Sequence, residues 1–333
     1  MSTAAVALLA LLGGSPLLPA PEDPRAAVAQ VIDDSIGWFR TKDFGRLFAV
    51  HAEGPELFLF QPSAKDTIQG GTAFRAFADV WRDPDVLYES HAVRNLHIHI
   101  SASGQHAWFS ALLDDCARVR GKVSCWKDAR WTGVLEKRAH GWVMVQGHFS
   151  FVPSSDVTAL LTRYAGPGDV TAAPARTVEA GPPEILRAIE ATFGWAVEKD
   201  WDLFRSTRLQ DERLFVFPSF SAEPVQGFEQ LGRKAQATWL QGDFRALGHS
   251  IRDLRLHVAP RDDLAWFSAV VDDRNLAGGQ PAGWKDVRWT GVLVKEQGRW
   301  QIAQNHFSVP VEAVRAARAI LESGAPRGPA PKP

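Results

Sequence analysis

The sequence predicts an α+β fold that the chain uses twice, in two domains of the same kind. A stretch of twelve residues, WKDARWTGVLEK at 126–137, returns almost unchanged as WKDVRWTGVLVK at 284–295. Tryptophans recur in the same register, since Trp38 and Trp195 lie 157 residues apart and Trp81 and Trp239 lie 158 apart. In each half, helical periodicity comes first and long alternating stretches follow, which is typical of an α+β domain. A repeat this long indicates two globular domains.

Helices are predicted at the start of each domain, and antiparallel strands in its second part. The first helix, near 26–40, carries its apolar residues on one face, and its counterpart runs from about Leu186 to Val197. The later elements of the first domain are predicted at 44–50 (helix), 57–61 (strand), 74–81 (helix), 87–100, 107–116, 125–137 and 142–151 (strands) and 155–164 (helix). The second domain repeats this order and ends in a helix at 311–322.

Composition sets the predicted domain boundaries. Residues 165–183 are rich in Pro, Gly and Ala, as expected for a linker, and 323–333 have the composition of a disordered tail. The predicted segments are therefore a leader at 1–24, a first domain at 25–164, the linker at 165–183, a second domain at 184–322 and the tail at 323–333.

Charge and hydropathy limit the partners that we expect. Lys+Arg 37 against Asp+Glu 38 gives a formal net charge of -1 without a basic run, so nucleic acid is not expected as a partner. The apolar run 4–12 is too short to span a membrane, which takes about 20 residues. It fits either the apolar region of a secretory signal, in a periplasmic or secreted protein, or a disordered leader in a cytoplasmic one. Both interpretations stay open.

Cysteine and histidine patterns predict neither a metal site nor a cofactor. Cys116 and Cys125 would face each other across a hairpin, where they can form one disulfide or stay reduced. His97 and His99 share a strand face, but the second domain has Arg255 at the first of these positions and no carboxylate partner is evident. Nucleotide-binding and serine-hydrolase motifs are missing from the sequence.

The closing motif of each domain resembles a known family. Trp-x-Asp-x-Arg-Trp-Thr-Gly-Val-Leu, a turn, and Trp-x-x-x-Gln-x-His-Phe-Ser are similar to the SnoaL-like members of the nuclear transport factor 2 superfamily, over about 25–155 and 180–312. The resemblance implies two tandem cone-shaped domains, each with N-terminal helices packed on a curved, mostly antiparallel sheet. Because family members commonly pair through their sheets, it also implies an intramolecular pseudo-dimer. Isomerases, cyclases and a kinase association domain share this fold, so it does not assign a reaction.

Strand alternation predicts two candidate linings for a ligand pocket, if Arg138 pairs with Gly141 at the turn and Arg130 therefore lies opposite Phe149. The preferred lining consists of Trp126, Asp128, Arg130, Thr132 and Phe149 with Asp115 at its edge, and in the second domain of Trp284, Asp286, Arg288, Thr290, Phe307 and Asp273 with Asn305 nearby. The other lining consists of Trp131, Gln146 and His148, or of Trp289, Gln304 and His306. The first is preferred because the kinase association domain directs basic side chains from the corresponding strand faces into its cavity.

Each candidate also has a purely structural interpretation. Asp128 and Arg130 could orient a small polar ligand, or they could form a partly buried ion pair. A histidine beside a tryptophan, such as His148, is more often packed and hydrogen-bonded than catalytic. Of the adjacent Asp114 and Asp115, at most one can face inward, and both could instead be turn residues at a strand end.

The function predicted from the sequence is the binding of a small polar or apolar ligand in each cone, with no membrane span and no established catalysis. One alternative is an enzyme of the ketosteroid-isomerase or polyketide-cyclase type that uses Asp128 or Asp115 as a base. Another is a protein-interaction or assembly module.

Overall fold

The structure is a computed structural model that describes residues 23–164, 181–260 and 263–323. The predicted leader lies almost wholly outside the described residues, as do most of the linker and of the tail. Within the described ranges, no helix is long and apolar enough to cross a membrane.

Domain 1 begins with helices whose starts the sequence specifies. Its described α-helices are α1 (Pro24–Gly37), α2 (Phe44–Ala49), α3 (Gly71–Ala78) and α4 (Ser155–Tyr164). A proline stands in the first turn of α1, and the side chain of Asp23 accepts a hydrogen bond from the backbone there. Asp43 caps α2 by accepting from the N–H of Arg46 at 2.9 Å. Val28 and Ile32 are fully buried, so one face of α1 packs into the core as predicted.

The sheet of domain 1 follows the predicted meander. Its described strands are β1 (Phe58–Phe60), β2 (Ile68–Gln69), β3 (Val86–Ile100), β4 (His106–Val119), β5 (Lys122–Arg138) and β6 (Gly141–Ser150). They lie in the order β2-β1-β6-β5-β4-β3. The long strands β3 to β6 are antiparallel neighbours, whereas β1 runs parallel to β6.

Domain 2 repeats this architecture, which confirms the prediction of tandem α+β domains. Its described helices are α5 (Pro183–Glu198), α6 (Trp201–Ser206), α7 (Phe228–Ala237) and α8 (Val311–Glu322). Its described strands are β7 (Phe215–Phe217), β8 (Val225–Gln226), β9 (Phe244–Val258), β10 (Leu264–Ala277), β11 (Gln280–Pro281), β12 (Trp284–Glu296) and β13 (Arg299–Ser308). The sheet runs β11-β10-β12-β13-β7-β8, and β9 pairs with β10.

A β-bulge interrupts each closing strand near its start. The register between β4 and β5 shifts so that Lys127 and Asp128 together oppose Asp114, and Asp128 adopts a left-handed backbone with φ 52°. The N–H of Asp128 donates to the carboxylate of Asp114 at 2.9 Å, which holds the extra residue in place. Domain 2 has the same bulge at Asp286, with φ 53° and a 2.7 Å hydrogen bond to Asp272.

This bulge changes which side chains share a face of β5. Trp126 and Trp131 are five positions apart, and strict alternation would place them on opposite faces. With the extra residue between them, both contact Phe149, at ring-centroid distances of 5.9 Å and 5.0 Å. Arg130 and Thr132 therefore lie on the other face, away from Trp126. The predicted common lining of Trp126, Arg130 and Thr132 is wrong for this reason.

A second bulge, in β6, makes the predicted register of the β5–β6 hairpin wrong. Arg138 does pair with Gly141, but the register shifts beside Val145, where β6 contains an extra residue. Arg130 is consequently opposite Ser150 and not opposite Phe149.

The terminal helices bring the two domains together at one end. Val157 and Leu160 of α4 form a small buried cluster with Ala317 of α8. Glu312 of α8 accepts hydrogen bonds from Ser63 Oγ at 2.7 Å and from the N–H of Ala64 at 3.1 Å. The last helix of domain 2 is thus attached to a loop of domain 1.

Replacing Gly133 by alanine should destabilise the protein by about 1–3 kcal/mol, as is typical of overpacking. A methyl group there would lie 2.5 Å from a ring carbon of Phe109 and 2.8 Å from the carbonyl oxygen of Gln146. The free energy of unfolding, measured in urea, gives the loss. The control is Gly242→Ala, whose added methyl meets nothing within 4 Å and should change stability by about 0.5 kcal/mol at most. Equal stability of the two variants would contradict the packing argument.

Candidate functional site

Domain 1 contains a cavity of about 410 Å³ between its helices and the inner face of its sheet. The helical side contributes residues of α1, α2 and α3, and the sheet contributes residues of β4, β5 and β6. Eight aromatic side chains line the wall, those of Trp38, Phe39, Phe74, Phe77, Trp81, Trp126, Phe149 and Phe151. Such a wall favours the flat, apolar part of a small molecule.

Asp115 is the carboxylic acid that β4 directs into this cavity. Burial raises the pKa of Asp115 to about 6, and the charge of His91 opposes this shift. The neighbouring Asp114 points to the other face, where Arg94 donates to it at 2.8 Å. The prediction that only one of the two carboxylates can face inward is confirmed. Both lie within β4, so the alternative that they are turn residues at a strand end is wrong.

His51 is a second polar group of the cavity that the sequence did not single out. It follows α2 and forms an isolated β-bridge with Met144. Its Nδ1 donates to the carbonyl oxygen of Leu47 at 2.8 Å, and its ring lies 4.4 Å from that of Phe74. Burial lowers the pKa of His51 to about 4, so the ring is neutral at physiological pH. With Nδ1 protonated, Nε2 is a hydrogen-bond acceptor.

Domain 2 supplies part of the wall of the domain 1 cavity. Val311 and Arg315 of α8 are lining residues. The N–H of Val311 donates to the carbonyl oxygen of Pro62 at 3.1 Å, which together with the contacts of Glu312 holds the start of α8 against domain 1. The cavity is therefore complete only when both domains are present.

The corresponding cavity of domain 2 is smaller, at about 220 Å³. It retains the carboxylic acid as Asp273, whose pKa burial again raises to about 6. Here, however, Asn275 Nδ2 donates to Asp273 Oδ2 at 2.7 Å, whereas Asp115 accepts no hydrogen bond from the described residues.

Three replacements contribute to the smaller cavity of domain 2. The positions of His51, Ala117 and Gly147 in domain 1 are occupied in domain 2 by Arg208, Asn275 and Asn305, all of which line the cavity there. Each replacement adds side-chain volume. Comparison of the two repeats could have identified these positions, because they are polar differences within otherwise matching stretches.

The residues predicted as the preferred lining are distributed over three places. Trp126, Phe149 and Asp115 line the cavity of domain 1, and Trp284, Phe307, Asp273 and Asn305 line that of domain 2. Asp128 and Asp286 are exposed and pair with arginines of the adjoining strand, Arg94 and Arg252, at 2.6 Å and 2.7 Å. The predicted ion pair between Asp128 and Arg130 is therefore not formed.

Trp131 and Trp289 stack on Phe149 and Phe307 inside their own domains, so the predicted lining in which Trp131 shares a face with Gln146 and His148 is wrong. The other predicted residues meet in a buried polar cluster between the two sheets. The rings of His148 and His306 stack with centroids 3.7 Å apart. His148 forms hydrogen bonds with Thr290 Oγ1 at 2.9 Å and with Ser308 Oγ at 2.7 Å, and His306 forms the matching pair with Thr132 and Ser150 at the same distances. Gln146 and Gln304 each donate to a backbone carbonyl of the other domain, at 3.1 Å and 3.0 Å.

Arg130 and Arg288 lie in the same contact between the domains. Arg130 donates through Nη1 to the carbonyl oxygen of Pro218, through Nη2 to that of Phe307 at 3.2 Å, and through Nε to Ser150 at 2.9 Å. Arg288 donates to the carbonyl oxygens of Gln61 and Pro62. Burial lowers the pKa of Arg130 to about 9 and that of Arg288 to about 10.

The structure joins Cys116 and Cys125 in a disulfide between paired residues of β4 and β5. His99 stacks on Trp108 with ring centroids 5.2 Å apart. Across the described ranges, no group of three or more His, Cys, Asp or Glu side chains is arranged to hold a metal ion.

Sequence comparison gives the same family for both halves. The model of the SnoaL-like domain matches residues 28–154 and again residues 185–312. No curated protein matches the chain.

Solved structures similar to this chain are NTF2-like proteins. One is an NTF-2-like protein of unknown function from Shewanella oneidensis MR-1, at 16% identity and a TM-score of 0.31, covering 39% of this chain and 100% of that one. The association domain of CaMKII from C. elegans gives 20% identity and a TM-score of 0.32, covering 38% and 95%. A putative calcium/calmodulin dependent protein kinase II association domain from Xanthomonas campestris gives 18% and 0.34, covering 44% and 99%.

Acid should destabilise the protein through His148 and His306. Burial keeps the folded-state pKa of both histidines well below 6.5, so below pH 6.5 the unfolded chain binds protons that the folded chain does not. Stability is therefore lost as the pH falls, by up to about 1.4 kcal/mol per pH unit for each histidine. Urea unfolding at about pH 7.5 and about pH 5 should give a smaller pH dependence for His148→Asn than for the wild type.

The matched control for this experiment is His140→Asn, which removes an exposed histidine at the β5–β6 turn. It should keep the wild-type pH dependence. Asp115 and Asp273 contribute with the opposite sign because their pKa values are raised, but they are present in all three proteins and cancel in the comparison. The same slope in His148→Asn and the wild type would show that the stacked pair is not the acid-sensitive element.

Proposed function

The chain belongs to the SnoaL-like domain family, and we propose that it binds a small, mainly apolar cyclic molecule in the cavity of domain 1. The observation that carries this proposal is a cavity of about 410 Å³ that combines aromatic side chains with a few polar groups, among them Asp115, His51 and Arg315. Ligand pockets typically measure about 300–1,000 Å³ and orient their ligands with a few polar groups in an apolar wall.

The polar groups indicate the chemistry of the ligand. Asp115, with its pKa raised to about 6, is a hydrogen-bond donor in its protonated form and an acceptor above that pH. His51 is neutral and offers an acceptor nitrogen. A charged ligand group would have to lose its hydration in this apolar space. An uncharged carbonyl or hydroxyl group on a flat ring system therefore fits best.

Domain 2 has a supporting role in this proposal. Its own cavity, at about 220 Å³, is below the usual volume range for ligand pockets. Asn275 already donates a hydrogen bond to the carboxyl group of Asp273. Its helix α8 contributes Val311 and Arg315 to the domain 1 cavity. We propose that the two domains form an intramolecular pseudo-dimer, supported by the hydrogen bonds of His148 and His306 across the contact.

Giving domain 1 the asparagine of domain 2, by Ala117→Asn, should weaken ligand binding at least about tenfold, or about 1.4 kcal/mol. The new amide would occupy cavity volume and would donate to Asp115 as Asn275 does to Asp273. Titration calorimetry with the bicyclic ketone 2-tetralone near pH 5, where Asp115 is mostly protonated, measures the loss.

Ala76→Asn is the control, because it adds the same side chain to an exposed position of α3. It should bind 2-tetralone as the wild type does. Wild-type affinity in Ala117→Asn would place the ligand elsewhere. Failure of the wild type to bind 2-tetralone, 2-naphthol and a steroid ketone would contradict the proposal as a whole.

The raised pKa of Asp115 favours a second candidate function, proton transfer to or from the bound ligand. A general base works best when its pKa lies near the working pH, and a carboxylate with a pKa of about 6 meets this condition better than an unperturbed one. A carbon next to a carbonyl group is the kind of acid from which such a base removes a proton.

If Asp115 acts as a base, the protein should accelerate deuterium exchange at the carbons beside the carbonyl of 2-tetralone in heavy water. The catalysed rate should rise with pH through about 6, as Asp115 ionises, and should be lost in Asp115→Asn. Nuclear magnetic resonance follows the exchange. Exchange at the buffer rate in the presence of bound wild type would rule out this function and leave binding alone. Asp273→Asn is the control, and it should keep the domain 1 activity.

A further inference from the structure

A crevice of about 670 Å³ lies between the two domains, outside both cones. One wall comes from β1 and its flanking loops in domain 1, and the other comes from β9, β10 and β12 of domain 2. The apolar part of its lining includes Phe58, Phe60, Leu254 and Pro310. The crevice depends on the proposed pairing of the domains but not on a ligand in the domain 1 cavity.

Two arginines of the crevice, Arg288 and Arg255, form no ion pair with a described carboxylate, although the charge of Glu312 acts on Arg288. Arg288 is only 3% exposed, and its Nη1 and Nη2 are bound to backbone carbonyls. Its Nε has no hydrogen-bond partner among the described residues. Arg255 is half-buried, with its guanidinium 5.5 Å from the ring centre of Phe58. Backbone carbonyls orient a guanidinium but supply no counter-charge. Glu312 supplies part of it to Arg288, so Arg255 is the cation of the crevice without a described carboxylate partner.

The other charged groups of the crevice are either neutralised or at its edge. Arg252 donates to Asp272 at 3.0 Å and to Asp286 at 2.7 Å, and Asp286 is itself exposed. Asp253 is exposed, with a left-handed backbone at φ 52°. Asp253 and Asp286 are thus exposed, whereas Arg255 is half-buried and Arg288 is buried.

The repeat relates the crevice to a second region of the contact between the domains, and the residues of that region differ. There Arg130 replaces Arg288, and each of its three nitrogens donates a hydrogen bond. His97 stands where domain 2 has Arg255, and Asn95 stands where it has Asp253. The two repeat-related regions can therefore be compared directly. The crevice has Arg255 without a described carboxylate and Arg288 with an unbound Nε, whereas the equivalent region has one arginine with every nitrogen in use.

We propose that the crevice beside Arg288 and Arg255 is a binding site for a small organic carboxylate. The carboxylate pairs with Arg255 and supplies the counter-charge that this arginine lacks, because a planar guanidinium matches the two oxygens of a carboxylate. The apolar body of the ligand lies against Phe58, Phe60 and Leu254. This site is distinct from the domain 1 cavity, with which it shares no lining residue.

Titration calorimetry at about pH 7.5 with benzoate as the probe tests the proposal. The wild type should bind benzoate at least about tenfold more tightly than benzamide, which has the same ring without the charge. Arg255→Met should weaken benzoate binding at least about tenfold. Arg255→His installs the residue found at the equivalent position 97, and it should give a similar loss while keeping the wild-type melting temperature.

Arg299→Met is the control, because it removes a positive charge from the exposed β12–β13 turn and should leave benzoate binding unchanged. Ala117→Asn should also bind benzoate normally, which separates this site from the domain 1 cavity. Unchanged affinity in both Arg255 variants, or loss of benzoate binding in Ala117→Asn, would overturn the assignment. So would phosphate competing as strongly as benzoate, because the apolar walls would then contribute nothing.

Discussion

The extra residue that each closing strand carries, Asp128 or Asp286, determines how the chain distributes its polar and apolar side chains. A left-handed backbone is unfavourable for a residue other than glycine, at a cost on the order of 1 kcal/mol or more. The cost is offset by the hydrogen bond from the bulge to Asp114 or Asp272 and by the arginine that bridges the two carboxylates. Strand faces alternate with a period of two. One extra residue in a bulge therefore places every following side chain on the opposite face from the one that strict alternation predicts.

The exchange separates two chemical environments along one strand. Trp126 and Trp131 both face the interior of the cone, where Phe149 contacts each of them. Arg130 and Thr132 face the other domain. If strict alternation continued from Trp126 across Asp128, Arg130 would face the aromatic cavity at the cost of its desolvation. Trp131 would then lie on the other face of the strand.

The fold was predictable from the sequence because it rests on patterns that repeat. The tryptophan register and the duplicated hairpin motif located both domains, and alternating stretches located β3 to β6. The faces of β5 and β6 were not predictable in the same way. A bulge leaves only a weak trace in the sequence, here an aspartate that tolerates a positive φ, and counting by twos across Asp128 or Val145 gives the wrong parity.

The candidate site was predicted only in part for a second reason. Trp126, Phe149 and Asp115 belong to the sheet, and the motif drew attention to that part of the chain. His51 reaches the cavity from the end of a short helix, and Arg315 reaches it from the last helix of the other domain. Contacts between segments so far apart in sequence have no local pattern. Only the polar differences between the repeats, such as His51 against Arg208, point to them.

The hydrogen bonds between the two sheets account for one set of positions that are identical in the two repeats. Residues that hydrogen-bond across the contact are identical in the two halves, as in the pairs Thr132/Thr290, Gln146/Gln304, His148/His306 and Ser150/Ser308. Each needs a partner from the other half, and a buried hydrogen-bonding group left without one costs about 1–3 kcal/mol. A change in one half is therefore penalised unless the other half changes with it.

Cavity residues are not coupled in this way. Ala117 and Asn275 each contact groups of their own domain, so one could change while the other stayed. The contact residues of a domain are constrained by the other domain, but its cavity residues are not. One domain can therefore lose cavity volume and still fold. The different sizes of the two cavities are consistent with this difference in constraint.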